Sequence, residues 1–346
     1  MLDRHALGAT VQRNCDIADA RFARDYSMCT YLLKMREFYR WRQGYGLPDP
    51  LPADAMGHWI QNRECEWDAI EAQPFAKLRL NGKDHDPFDD GGINRILEPH
   101  GLVYSAGLGR FAQPHFFLGR LERCERRGDL TLYVAGEEYA RDLTAPPGMA
   151  RDGRLFVRRE SLRRVLWLAV EEWRLRPRPG PMAWLVDHYG FDLAPEEALE
   201  RMTGHELDAL SLHEIGEARA GDLLGSAWGD ALLRLSASKA ELYARAARDH
   251  LADCLITLPA LLEREDRASL HYYFANLQGI RREIFPAADI AYRRWVDEGG
   301  FTALRELLPA ARAHWERVAG SFVPREGQSG EHALAVQRVL AGKCVL

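Results

Sequence analysis

The stretch RLERCERRGDLTLYV, Arg120 to Val134, decides the fold. Its two arms are short and rich in β-formers, and they meet at Arg127-Gly128-Asp129. A glycine next to an aspartate supplies the positive φ that a tight hairpin needs. Reading outward, LVYSAGLGRF (102–111), HFFLGRLERC (115–124) and LTLYVAGEEY (130–139) share this character and are separated by glycine or charged turns. GRLFVRRESL (153–162) adds one more strand before the chain turns helical. Residues 84–158 are therefore expected to form a small, mostly antiparallel sheet.

Both flanks read as helix. Phe22, Met28, Cys29, Leu32, Leu33, Met35 and Phe38 recur at helical spacing and predict one long helix over Ile17–Gln43, stopped by GYGLPDPLP. A second helix is expected over Pro52–Ala72, with Met56, Trp59, Ile60 and Trp67 inward. From Ser161 the pattern is helical almost throughout. Thr203-x-x-Glu206 and Ser211-x-x-Glu214 both fit a capping box, which predicts two adjacent helix starts. Helices follow over about 222–235, 238–265, 268–284, 287–297 and 301–319.

The expected fold is helix-dominant α+β: a small antiparallel sheet packed against an N-terminal helical pair and a C-terminal helical bundle. The sheet is too small to cover itself and needs helices. The division expected is 1–160, 161–321 and a loosely held tail over 322–346, with one integrated domain as the alternative.

Composition narrows the class. The chain of 346 residues is 47% hydrophobic and 28% charged, which suits a globular protein rather than a disordered one. A formal charge of −5 argues against a general nucleic-acid binder. No run reaches transmembrane length, and the N-terminus lacks the apolar core of a signal peptide. Six cysteines without a C-x-x-C pair point to a reducing cytoplasm and away from a disulfide framework. Cys29 and Cys254 lie on apolar faces and are expected to be inert.

NCDIADARFARDYSMCTYLLKMREFYRWRQG (14–44), GLVYSAGLGRFAQPHFFLGRLERC (101–124) and LHEIGEARAGDLLG (212–225) together resemble a family of bacterial proteins of uncharacterised function. The likeness spans most of the chain. It implies a cytoplasmic bacterial protein of continuous architecture and carries over no activity.

Candidate chemistry therefore rests on residues alone. His213 and Glu217 are four apart, so on a helix their side chains point the same way and suit one metal ion. H-E-x-x-E is not the H-E-x-x-H of zinc proteases, so that class is excluded. His250 with Asp253, and His271 at the start of the next helix, extend a candidate ligand set of the kind helical bundles build inward. Iron, manganese or zinc is the implied cofactor. Glu214, Tyr272 and Tyr273 are the candidate proton-transfer groups. The competing reading is structural: buried histidines bonded to backbone or acid, and Glu217 paired with an arginine.

A second candidate is a ligand site in which His100 and His115 flank Gly107, Gly109 and Arg110, with the guanidinium on a small anion. KDHDPFDDGGIN (83–94) lacks calcium-loop register and reads as an acidic loop ending in a helix cap at Asp89 or Asp90. The expected function is a metal-dependent, oxidoreductase-like enzyme; the alternatives are a non-catalytic interaction or accessory protein that binds a protein partner, or a binder of a small anionic ligand through the His100–His115 segment. Nucleic acid and membrane are not expected partners.

Overall fold

Caps, glycines and prolines set the order of elements. The computed structural model describes residues 2–236, 238–323 and 345–346, the Arg110 side chain excepted. The tail expected over 322–346 therefore falls largely outside the described residues.

Helix α1 (Arg4–Phe22) starts at Asp3, whose Oδ1 accepts from Ala6 N at 3.0 Å. Helix α2 (Met28–Gln43) starts afresh at Ser27, whose Oγ accepts from Thr30 N at 3.3 Å, and ends at Gly44 with φ of 72°. The single helix expected over Ile17–Gln43 is thus two. Phe22 leaves helical geometry at φ −120°, a turn at Ala23–Asp25 intervenes, and the Ser27 cap re-nucleates. Helix α3 (Ala53–Asp68) is shorter than the span expected to Ala72.

Strands β1 (Leu78–Leu80) and β2 (Lys83–His85) form their own antiparallel ladder. Helix α4 (Asp90–Leu97) is capped by Asp89, Oδ1 accepting from Gly92 N at 2.8 Å. The main sheet begins only with β3 (Leu102–Leu108), followed by β4 (Pro114–Arg127), β5 (Leu130–Arg141), β6 (Gly148–Arg151) and β7 (Arg154–Arg158). Its order is β3-β4-β5-β7-β6. The span 84–158 is therefore not one sheet: a helix interrupts it. The β4–β5 hairpin closes with Arg127 opposite Leu130 and Gly128 at φ 67°. Register shifts around Gly119 and Leu121 bend the long arms.

The helices that follow are α5 (Arg159–Leu175), α6 (Pro181–Tyr189), α7 (Pro195–Leu224), α8 (Ala227–Arg234) and α9 (Lys239–Ala252). A π-turn at Asp253–Thr257 leads into α10 (Leu258–Glu263), then α11 (Arg267–Asn276), α12 (Gly279–Ile284), α13 (Pro286–Glu298) and α14 (Thr302–Gly320). The fold is helix-dominant α+β.

Both expected capping boxes lie inside α7, which begins at Pro195 and runs 30 residues to Leu224. Leu199, Met202, Leu207 and Leu212 carry a buried stripe straight through them. The hydroxyls bond back one turn instead, Thr203 Oγ1 to Leu199 O and Ser211 Oγ to Leu207 O, each at 2.7 Å.

The chain divides into two compact units, Met1–Pro147 with Phe156–Trp167, and Gly148–Leu155 with Leu168–Leu346. In the first, Leu7, Val11, Cys15 and Ala18 of α1 pack on Tyr104, Phe116, Leu118 and Ala140 of the sheet. In the second, Phe285, Trp295, Trp315 and Phe322 are fully buried among Leu251, Leu258 and Leu270. Each such side chain contributes about 1.5–3 kcal/mol of burial. Among the described residues no helix is long and apolar enough to cross a membrane.

Candidate functional site

In the second unit α7 and α9 approach closely, and Gly216 is the reason. A Cβ at that position would lie 2.5 Å from the Ala252 carbonyl oxygen and 3.0 Å from its carbon. Only a residue without a side chain fits there, and the contact brings the charged groups on either side of it together. His213 and Glu217 sit one turn apart on α7. Arg248 and Asp249 face them from α9, and Asp253 opens the π-turn. That turn has a local cause: Pro259 has no N–H to give in helix register, and Leu258 N donates five residues back to Asp253 O.

His213 Nδ1 donates to Asp253 Oδ1 at 2.7 Å, and its Nε2 lies 3.5 Å from Glu217 Oε1. Arg248 Nη2 donates to Glu217 Oε1 at 2.5 Å and to Asp249 Oδ1 at 3.1 Å. Arg281 Nη2, from α12, donates to Asp253 Oδ2 at 2.5 Å. His213, Glu217 and Asp249 each present a ligand atom, all within 4.8 Å of one another. Their side chains keep 22%, 15% and 22% of their surface, so solvent reaches the cluster.

The electrostatics follow from these contacts. Burial opposes charge on His213, but Asp253 and then Glu217 outweigh it and hold the imidazole well above its usual pKa. Burial likewise opposes charge on Glu217, and Arg248 with His213 more than reverses it, keeping the carboxylate ionised. Glu214 is different. Burial, then the neighbouring Glu217 charge, pushes it up to about 8. Its Oε2 has no hydrogen-bond partner among the described residues, and a Cβ on Gly148 would lie 2.0 Å from its Oε1. Its environment favours the protonated acid, next to a carboxylate whose environment favours the ionised form.

The other sequence candidates separate. His250 does not turn toward His213. Its ring lies against Trp315 and Phe285, at centroid distances of 4.6 and 5.0 Å, and Nε2 donates to Arg281 O at 2.9 Å. Burial, then Arg281, lowers it to about 3. His271 stacks on Trp184 at 4.0 Å and lies tilted against Trp295 at 4.7 Å, with Nδ1 3.0 Å from Tyr292 Oη. Asp253 joins the cluster as a partner of His213 and Arg281. Burial, then Asp253, raises the Tyr273 phenol, which sits beside these charges. Tyr272 is raised by burial, then by Glu206, and so belongs to a different neighbourhood.

In the first unit, His100 and His115 are not brought together. Leu102 pairs with Arg120 and Gly107 with His115, so the two histidines lie toward opposite ends of this ladder, roughly 17 Å apart along the strand. His100 is exposed. His115 is buried, its Nδ1 3.1 Å from Asp142 Oδ2, and a Cβ on Gly109 would lie 2.2 Å from its Nε2. The Arg110 side chain is outside the described residues.

Sequence reasoning missed Asp249, Arg248, Arg281 and Gly216. Asp249 had a visible signal, since it lies four residues before Asp253 on one helical face. Arg281 and Gly216 had none, because their roles depend on which helices meet.

Residues 6–158 match the model of the N-terminal domain of a family of unknown function (DUF6866), and residues 163–342 match that of its C-terminal domain. Comparison with curated proteins and with solved structures returned no match.

Proposed function

We propose, for a chain that belongs to the DUF6866 family, that the second unit is a metal-dependent enzyme centred on His213, Glu217 and Asp249. One observation carries this reading: Asp253 fixes the Nδ1 proton of His213 and leaves Nε2 facing Glu217 at 3.5 Å, with Asp249 as a third donor in the same cluster. A carboxylate that orients the far nitrogen of a histidine is the usual outer support of a metal ligand. One imidazole with two carboxylates suits manganese, iron or zinc.

Binding has a physical cost that makes the proposal specific. Ligand atoms about 2.1 Å from an ion lie roughly 3–4 Å apart, so the three donors must draw in. Arg248 must release Glu217, and His213 must lose its Nε2 proton. Bound metal would act as a Lewis acid or redox centre, with neutral Glu214 as the nearby proton donor. An oxidoreductase-like reaction is the finer form of this proposal and needs iron or manganese.

The accessory-protein reading has its own support. Arg248, Arg281 and protonated His213 already balance Glu217, Asp249 and Asp253. Elemental analysis of tag-free protein separates the two. The enzyme reading expects close to one metal ion per chain, lost in His213→Ala and Asp249→Asn, and a melting temperature that falls with chelator. No stoichiometric metal, together with a melt indifferent to chelator and to added manganese, iron or zinc, leaves the ion network as structure alone.

A further inference from the structure

A cavity of about 1120 Å³ is lined wholly by residues of the first unit. One wall is α1, where His5, Gly8, Ala9, Gln12 and Asp16 recur at helical spacing and the two small residues leave the room. Trp41 and Tyr139 supply apolar edges. Among the described lining residues both charges occur: carboxylates of Asp16, Glu66 and Glu160, guanidiniums of Arg13, Arg42 and Arg63.

These groups are incompletely satisfied by one another. Asp16 Oδ1 takes Gln12 Nε2 at 3.0 Å, but its Oδ2 meets Arg63 Nη1 only at 3.4 Å, because that Nη1 leans to Glu66 Oε2 at 3.1 Å. Arg63 Nε is buried without a hydrogen-bond partner among the described residues. Glu160 gives one oxygen to Glu138 N at 2.7 Å, and a carboxylate can accept from about four directions.

That lining selects by elimination. An apolar ligand would strand polar groups without partners, at about 1–3 kcal/mol each. A ligand of one sign would meet like charges as well as opposite ones in this lining, and complementarity asks for a match at each point. The volume is slightly above the usual range of small-molecule sites, roughly 300–1,000 Å³, and well beyond a single amino acid. We infer that the cavity binds a mixed-charge zwitterion of the short-peptide or amino-acid-conjugate class. Its cationic group sits on Asp16 and Glu160 and its carboxylate on Arg13 and Arg42.

The probe is the tripeptide Lys-Ala-Glu, titrated into the full chain by calorimetry and by tryptophan fluorescence. The expected result is saturable binding with a raised melting temperature, weakened about tenfold by Arg42→Ala and by Asp16→Asn, a loss of the size of one charged hydrogen bond. Ala9→Trp, at an exposed helical position, pushes an indole into the cavity from the α1 wall without changing a charge and should weaken binding sharply while the fold persists. The inference is overturned by absence of saturable binding at millimolar peptide, by binding that Ala9→Trp leaves unchanged, or by spermidine or citrate binding as tightly as the tripeptide.

Discussion

Two clusters of buried charge, one in each unit, look alike in composition and differ in how complete they are. In the first unit Glu138 receives Arg158 Nε at 2.9 Å, Arg158 Nη2 at 2.7 Å and Ser161 Oγ at 2.6 Å. Its side chain is wholly inaccessible, and the Arg158 guanidinium lies 4.4 Å from the Phe117 ring centroid. Geometry there is bidentate, and both carboxylate oxygens are engaged. The cluster between α7 and α9 keeps access to solvent, leaves Glu214 Oε2 without a hydrogen bond among the described residues, and shares Arg248 between two carboxylates. A closed network specifies the fold, because each donor and acceptor has its place. An open one retains capacity for a further ligand.

The largest expected effect tests the closed side. Arg158→Met removes both guanidinium bonds to the buried Glu138 carboxylate, leaving it Ser161 Oγ and the Arg141 guanidinium at 3.7 Å, and should cost about 3–5 kcal/mol in a denaturant titration. Adding Glu138→Leu should recover part of that, since it removes the under-paired carboxylate but also takes a partner from buried Arg141. Glu217→Ala, in the open cluster and without metal, should cost about 1 kcal/mol or less. Similar losses at the two sites would erase the distinction between them.

A carboxylate with less help than either sharpens the contrast. Glu206 is buried with Ser269 Oγ as its bonded neighbour at 3.2 Å, and burial pushes it up to about 8. The sign is fixed by that direction. In the unfolded chain Glu206 releases its proton near pH ~4.3, whereas the folded protein keeps it until about pH 8. Its contribution is therefore absent at low pH, grows more destabilising as pH rises through that window, and is complete above about pH 8. Glu206→Gln should stabilise at alkaline pH by an amount on the order of a few kcal/mol and change little at acid pH. A gain of equal size at both extremes would show that the folded protein holds this carboxyl near its ordinary pKa.

Next in size is the close approach itself. Gly216→Ala sets a methyl group against the Ala252 backbone, which cannot step aside. It should cost about 1–3 kcal/mol despite the better helix propensity of alanine. Gly204 lies on the same helix with nothing within 4 Å of its would-be Cβ. Gly204→Ala should therefore stabilise by about 0.5–1 kcal/mol. Two gains would mean that α7 and α9 are further apart than described.

Where the sequence was legible, a local cause was sufficient. Gly128 alone makes a hairpin at residues 127–130, and Asp89 alone starts α4. The helical face that pairs His213 with Glu217 needs only its own periodicity. What the sequence hid depends on partners from other segments. Nothing around Arg281 marks it as the second partner of Asp253, and nothing in His250 marks its ring for Trp315 rather than for His213. Ser27 carries a local signal that competes with the apolar spacing. The apolar spacing runs across it, but its hydroxyl caps a new helix, so periodicity overran a real break.

Ser211 shows the opposite error, and it gives the smallest effect. Ser211-x-x-Glu214 has the spacing of a helix start, and a lost cap costs about 1 kcal/mol. In the middle of α7 the hydroxyl does something else: it donates to Leu207 O at 2.7 Å, an oxygen that the helix itself already engages. Such back-bonding slightly disfavours the helix, and alanine is the better helix former. Removing the hydroxyl also removes its own need for a partner, so no buried polar group is left stranded. Ser211→Ala should therefore move stability by less than about 0.5 kcal/mol in either direction. A loss of about 1 kcal/mol or more would place a helix start at Ser211 and divide α7 in two. Asp253, reached through His213 just beyond it, would then have to be approached by a shorter helix, and the alignment of His213 with Glu217 would need another cause.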